Sequence, residues 1–367
     1  MHFVSAYILE CKRLHVIVSR RASSEIVTIM PPTSSPTLND VAKRADVSTA
    51  TVSRCFNEPD RVVPETRKRV MLAVEELAYT PNFGGRVLAS RKTHTVGAII
   101  PTMENAIFAR GLQAFEEALA NDGFTLLVAS TGYNPEREFE QIKKLVARGA
   151  DGLLLIGWER SKKVFDFLKA RSVPTVIAWS TRSAKGWCYS GFNNHQAAQQ
   201  MAERVIAFGH KRIAMIAGVT KGNDRAADRL SGVIDALRQK RLNPDRLPVV
   251  EAQYTLEDGS RAFRELMSRK PAPTAIICGN DVLAAGALSE ARRMGLKVPE
   301  DVSVTGFDDI DIATVVEPPL TTVHVPHRRM GQAAASILLN RIAGEQNASN
   351  AEFETEIVER GSLGPAR

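Results

Sequence analysis

Residues 37–57 read TLNDVAKRADVSTATVSRCFN. Thr37 stands three positions before the carboxylate of Asp40, the spacing at which cap and first-turn acid satisfy each other's open N–H groups, so a helix is expected from residue 38. Leu38, Val41, Ala42 and Ala45 then recur at helical spacing and form one apolar stripe. At Asp46 the chain must turn sharply; glycine suits a left-handed turn best, and aspartate tolerates it better than most residues. Val47 returns to the core, and Ser48 is placed to cap a second helix running through Arg54. Two short helices about a tight turn make a helix-turn-helix. The exposed N-terminal side of its second helix carries Thr49, Ala50 and Arg54, which can meet base edges in a major groove. Ser48, Thr51, Ser53 and Asn57 are short hydrogen-bonding side chains suited to phosphates. A third helix is expected from Pro64 through Val70, Val74 and Leu77 to Tyr79, closing a small core that any three-helix bundle could also show.

Working outward, the chain of 367 residues is long enough for two or three domains. With 44% hydrophobic and 24% charged residues it has the composition of a soluble globular protein. The net charge is +7, and the first 94 residues hold fourteen Lys/Arg against nine acids, which is most of that excess. A basic end suits a polyanionic partner, although a mildly basic solvated surface accounts for it nearly as well. Cys11, Cys55, Cys188 and Cys278 are scattered without CxxC or metal-ligand spacing, which fits a reduced, cytoplasmic protein. No apolar run reaches membrane-spanning length. Residues 1–36 are expected to be a leader: an apolar start interrupted by Glu10-Cys11-Lys12-Arg13, then the loop-forming run Pro31-Pro32-Thr33-Ser34-Ser35-Pro36. Met30 is a plausible initiator in that reading.

From Thr95 onward, apolar runs alternate with amphipathic stretches. Strands are expected at 96–101, 125–129, 152–156 and 175–178, with helices at 106–122 and 135–148. The rhythm restarts at 212–217, with helices at 228–241, 258–268 and 281–294 and strands at 248–251, 275–278 and 302–305. Such alternation implies parallel sheets covered on both faces, and two series imply two lobes with a ligand at the carboxyl ends of their strands.

The string at 37–57, followed by VVPETRKRVMLAVEELAYTPN, closely resembles the LacI/GalR family of bacterial regulators: DVA, VS, TVSR, N and Y-x-PN occur in order and register. The resemblance continues through FNNHQAAQQMAERVIAFGHKRIAMIAG, NDRAADRLSG, CGNDVLAAGAL, VSVTGFDDIDIA and PPLTTVHVPHRRMGQAAASILLNRI. It implies a small all-α helix-turn-helix domain at 37–81, a hinge at 82–92, and an α/β sensor of the periplasmic-binding-protein type at 93–367, built of two lobes with parallel sheets. It further implies that Thr49, Ala50 and Arg54 contact bases, that the hinge folds on DNA, and that Leu88 wedges between central base pairs. Gly84 and Gly85 depart from better helix formers there, each at about 1 kcal/mol. Asp46 stands where the family carries a turn glycine, and Val63 where it carries a serine cap.

Carried over by position, the effector contacts are Phe108, Trp158 and Asn194 together with Arg229, Asn280 and Asp308. Asp308 and Asn280 can bind hydroxyls, Arg229 a carboxylate or hydroxyls, and an aromatic ring a sugar face. GYNPEREFEQIKKLVARGADGLLL and SGFNN look closest to the gluconate-type branch, which implies a sugar or sugar-acid effector. The partners so implied are a near-palindromic double-stranded operator and a second copy of the chain. No cofactor is expected, and an enzyme on an α/β scaffold, a rival reading, finds no support because GxSxG, P-loop, GxGxxG and metal-ligand patterns are missing from the sequence. The competing reading is a sugar-binding protein of transport or chemotaxis type, which would share the sensor but lack the helix-turn-helix.

Overall fold

The computed structural model describes residues 36–80, 92–104, 106–182, 184–345 and 349–367. The chain divides into two units, one ending at Arg86 and one starting at Val87. The expected leader at 1–36, apart from residue 36, and the expected hinge at 82–92, apart from residue 92, lie outside the described residues, Gly84, Gly85 and Leu88 among them.

The first unit contains α1 (Leu38–Ala45), α2 (Thr49–Asn57) and α3 (Pro64–Glu76). Thr37 and Asp40 form the reciprocal capping pair that their spacing predicts: the Asp40 carboxylate accepts from Thr37 N at 2.8 Å and Thr37 Oγ1 accepts from Asp40 N at 3.4 Å. Asp46 takes the left-handed conformation at φ 52°, and Val47 N then donates back to Ala42 O at 3.0 Å. Ser48 Oγ accepts from Thr51 N and opens α2. Val41, Ala42, Ala45, Val52, Cys55, Val70, Ala73 and Tyr79 form the core of this unit.

The second unit starts with β1 (Thr95–Ile100), all six residues of which are buried, as a central parallel strand requires. There follow α4 (Ala106–Asn121), β2 (Thr125–Ser130), α5 (Pro135–Ala147), β3 (Gly152–Ile156), α6 (Lys162–Ala170), β4 (Thr175–Ala178) and β5 (Cys188–Gly191). The second lobe runs α7 (Asn194–Ala207), β6 (Ile213–Gly218), α8 (Asp224–Gln239), β7 (Val249–Ala252), α9 (Leu256–Met267), β8 (Ala275–Cys278), α10 (Asp281–Arg293), β9 (Ser303–Thr305), α11 (Ile312–Val315) and β10 (Thr322–His324). The chain then returns with α12 (His327–Ala343) and β11 (Ala351–Glu352), and ends through β12 (Glu356–Val358).

The first lobe is a six-stranded sheet in the order β11-β5-β4-β3-β1-β2, and the second a four-stranded sheet in the order β7-β6-β8-β9. Every pairing within both sheets is parallel; β10 and β12 form a separate antiparallel pair. The chain passes between lobes three times, after β5, after β10 and after β11. One hydrophobic core is continuous through both lobes, and Phe192 stacks on Phe307 at 6.0 Å between them. Helix pairs close tightly at glycines: a Cβ on Gly331 would collide with Gly111 O, and one on Gly111 would collide with the indole of Trp179. Bare backbone at Gly111 therefore sets Trp179 against α4.

Two expectations need correction. Helix α8 begins at Asp224, not at 228, because Asn223 Oδ1 accepts from Ala226 N and caps it within a polar stretch that reads as loop. Helices α6, α7, α11 and α12 and strands β5, β10, β11 and β12 are not among the expected elements; α7 and α12 carry small, weakly patterned residues that pack on neighbours along much of their length.

Candidate functional site

In the first unit Thr49, Ala50 and Arg54 are all exposed, while Val52 and Cys55 on the opposite side of α2 are buried. Arg54 makes no ion pair among the described residues, unlike Arg44 with Glu76 and Arg61 with Glu58. Exposed Lys43, Arg67, Lys68 and Arg69 supply further positive charge on α1 and α3. Ser48 and Thr51 are joined hydroxyl to hydroxyl at 2.9 Å at the start of α2, so they build the helix end as well as facing outward. Ser53 is half-buried, and the Asn57 side chain lies outside the described residues, as does Leu88.

In the second unit the strands' carboxyl ends converge on a narrow cavity between the two lobes. It is lined by Ile107, Phe108, Tyr133, Trp179, Asn223, Arg225, Arg229, Tyr254, Asn280 and Asp308. Four of the six expected effector residues, Phe108, Arg229, Asn280 and Asp308, thus share one cavity. Arg229 is held on three sides: Nε donates to Asn194 Oδ1 at 2.9 Å, Nη1 to Gly279 O at 2.6 Å, and Nη2 faces Asp308 Oδ1 at 3.4 Å. Its guanidinium lies 3.7 Å from the ring centre of Phe307, a cation–π seat beneath the cavity. Asn194 does not line the cavity; its amide nitrogen donates to Trp179 O at 2.9 Å while its oxygen holds Arg229, so it buttresses both.

Asp308 is 1% exposed, and burial pushes its carboxyl up to about 7 against the opposing pull of Arg229. Behind it, burial and the charge of Asp308 push Asp281 up to about 8; Asp281 accepts from Thr322 Oγ1 and from Ile310 N. Asp308 Oδ2 and Asn280 Nδ2 are buried without a hydrogen-bond partner, although Asn280 Oδ1 caps α10 by accepting from Leu283 N. An acceptor and a donor are therefore left over at one cavity wall, which is uncommon unless a ligand takes them up. His327, whose imidazole burial pushes down to about 3, stays neutral and accepts from Trp179 Nε1 at 3.1 Å. Phe108 meets Trp179 edge to face at 5.8 Å, and Tyr133 and Tyr254 stand 6.4 Å apart, one from each lobe. Burial and the neighbouring Tyr254 raise the phenol of Tyr133, so it remains a donor.

Trp158 is placed differently from the expectation. Its ring stacks on Phe165 at 6.5 Å in a separate cluster with Ile177 and Tyr189, and it does not line the cavity. Its backbone N–H donates to Asp224 Oδ2 at 2.7 Å across the two lobes. The aromatic wall is supplied instead by Trp179, Tyr133 and Tyr254, which sequence reasoning missed. A positional signal was present: Tyr133, Trp179, Tyr254, Asn280 and Asp308 each follow a parallel strand by one to three residues, at the end where such sheets bind ligands. Tyr133, Trp179 and Asp308 also have left-handed backbones at φ 59°, 63° and 104°. Each costs about 1–3 kcal/mol, and such strain concentrates at ligand sites. At Asp308 it is held by Asp308 N donating to Val323 O and by Asp309, whose carboxylate accepts from Arg360 and pairs with His324.

Comparisons with known proteins agree with this architecture. Residues 37–82 match the family described as bacterial regulatory proteins, lacI family, and residues 202–363 match a periplasmic binding protein-like domain. The chain is 33% identical over 330 residues to the HTH-type transcriptional repressor PurR of Klebsiella pneumoniae, covering 89% of this chain and 96% of that protein. It is 34% identical over 330 residues to the HTH-type transcriptional repressor CytR of Escherichia coli, with the same coverage. Among solved structures, the Lac repressor dimer bound to operator and the anti-inducer ONPF aligns with a TM-score of 0.79 at 26% identity, covering 90% of this chain and all of that one. The chain belongs to the lacI family of bacterial regulatory proteins.

Proposed function

We propose that this protein is a cytoplasmic repressor that binds a near-palindromic operator as a homodimer and is released or recruited by a sugar or sugar acid bound between its lobes. The observation that carries the effector half is the pair of unpartnered buried atoms, Asp308 Oδ2 and Asn280 Nδ2, in a cavity walled by aromatic rings. Polar groups of opposite hydrogen-bonding sense among aromatic faces suit a polyhydroxylated ring or chain. Gluconate is the effector favoured by the resemblance of the 132–155 and 190–194 segments. For the DNA half, the solvent-facing Thr49, Ala50 and Arg54 read base edges while Ser48, Thr51, Ser53 and Asn57 meet phosphates. Leu88 is the proposed minor-groove wedge.

A second copy has two apolar faces to cover. On the first lobe, the edge strand β2 exposes Leu127 and Val128; on the second, Leu256, Val315 and Met294 are exposed. Val315 is 78% exposed beside Ile312 and Val316, an arrangement that fits an interface between identical subunits.

The test is a thermal-shift screen of sugars and sugar acids, followed by an operator-binding assay with the best hit. The expected outcome is a ligand that shifts both the unfolding midpoint and operator affinity, with both shifts lost in Asp308→Ala. An operator affinity insensitive to every compound and to that substitution would overturn the effector role.

A further inference from the structure

The cavity contains two arginines that the fold uses in different ways. Arg229 is occupied by Asn194, Gly279 O, Asp308 and the Phe307 ring, and serves as part of the cavity wall. Arg225 lies four residues earlier on α8, on the same helical face, and is 7% exposed. Its one hydrogen bond among the described residues is from Nη1 to Asp224 Oδ1 at 2.8 Å. A guanidinium carries five N–H donors, so most of Arg225's capacity stays unspent at a buried position lining the cavity.

The two arginines differ in how fully their neighbours engage them. Each guanidinium at the cavity has one carboxylate beside it, Arg225 with Asp224 at 2.8 Å and Arg229 with Asp308 at 3.4 Å, but only Arg229 is also held by a side-chain amide, a backbone carbonyl and an aromatic ring. A ligand carboxylate would take up the spare N–H groups of Arg225 in charge-assisted bonds, which are about twice as strong as those a neutral hydroxyl can offer. We propose that Arg225 selects acids among possible effectors: it receives the ligand carboxylate, while Asp308 and Asn280 hold the hydroxyls and Arg229 shapes the wall. This rests on the sugar-acid reading given above and moves the acid from Arg229, where the sequence suggested it, to Arg225.

The position also ties the acid to closure of the cleft. Asp224, the partner of Arg225, accepts from Trp158 N of the first lobe through its other oxygen. Gly157, at φ 73°, lies directly beneath them; a Cβ there would collide with Arg225 Nη1 and Asp224 Oδ1. A carboxylate on Arg225 therefore binds where one lobe rests on the other, and its charge adds to the group that clasps them.

Calorimetric titration of the full-length protein with matched pairs tests this: gluconate against glucitol, glucuronate against glucose, and galacturonate against galactose. The wild-type protein is expected to bind at least one acid about tenfold or more tighter than its neutral counterpart, the scale of a charge-assisted bidentate contact. Arg225→Gln should bring that acid to within about twofold of the neutral compound, with the acid losing more affinity than the neutral compound does. Arg225→Lys, which keeps the charge but loses the planar fork, should fall between. If Arg225→Gln does not fold, Arg225→Lys decides: a loss confined to the acid supports the assignment, and equal loss for both compounds overturns it. An acid preference that survives Arg225→Gln also overturns the role of Arg225 while leaving the sugar-acid reading intact. A wild-type protein that binds neutral compounds as tightly as acids, or binds no acid of the panel, overturns both.

Discussion

The proposed recognition helix and the proposed effector cavity place their side chains in opposite circumstances. Thr49, Ala50 and Arg54 face solvent on a helix whose fold is settled by Thr37, Asp46, Ser48 and the buried stripe behind it. Arg229, Asn280 and Asp308 are almost fully buried, and each is also part of the fold: Arg229 bridges three groups, Asn280 caps α10, and Asp308 holds a left-handed turn. The exposed face proposed to read DNA can therefore be altered with little effect on stability, whereas the buried cavity proposed to enclose an effector cannot. Ligand specificity and protein stability share the same atoms in the second unit and are separate in the first.

The largest contrast should come from Arg229→Ala. It strips partners from buried Asp308 Oδ1, Gly279 O and Asn194 Oδ1 at once, so unfolding free energy in urea should drop by about 3–5 kcal/mol, together with loss of effector binding. A loss of binding at unchanged stability would show that the cavity is as separable as the recognition helix.

The pH dependence of stability should come next. The Asp308 carboxyl sits near 7 in the folded chain against an ordinary 3.8, so between these values the folded state holds a proton that the unfolded state has released. Its stabilising contribution is present below pH 4 and is lost as pH rises toward 7, with Asp281 extending the fall toward 8. Thermal midpoints of the ligand-free protein should therefore decline from pH 5 to pH 8. Asp308→Asn, neutral throughout, should flatten that slope, and an identical slope in the variant would remove Asp308 as its source.

Arg54→Ala should cost about 1–3 kcal/mol of operator affinity and relax specificity at one base pair, without moving the unfolding midpoint. Equal weakening on every DNA sequence would make Arg54 a phosphate contact instead. Smallest of all, Ser48→Ala should destabilise the first unit by about 1 kcal/mol through loss of the cap to Thr51 N, as read by chemical denaturation. On the DNA face that residue should behave like a cavity residue, affecting stability and binding together.

The first unit was readable almost residue by residue because its determinants are local. Thr37 and Asp40 are three positions apart, Asp46 supplies its own turn, and Ser48 caps the helix it begins. In the second unit, strand and helix alternation, two parallel sheets and four cavity residues followed from apolar runs and from motifs carried over by position. Trp158 and Trp179 show where such reading ends. Both follow a parallel strand, yet Trp158 packs beside Phe165 while Trp179 reaches the cavity. Which way each ring turns depends on Gly111 clearing room on α4 and on His327 accepting the Trp179 N–H from α12. Those partners lie 68 and 148 residues from Trp179 along the chain.

Hydrophobic period, caps and turn residues act over three or four positions, so the amino-acid order by itself determined a helix-turn-helix, a two-lobed parallel α/β unit and the basic, solvent-facing Arg54. Only tertiary packing decided that Arg229 is consumed by its neighbours, that Arg225 keeps donors to spare, and that Asp308 holds its proton near neutrality. Burial and hydrogen-bond competition are properties of what surrounds a group in space, and three chain crossings between lobes bring those surroundings together from distant parts of the sequence.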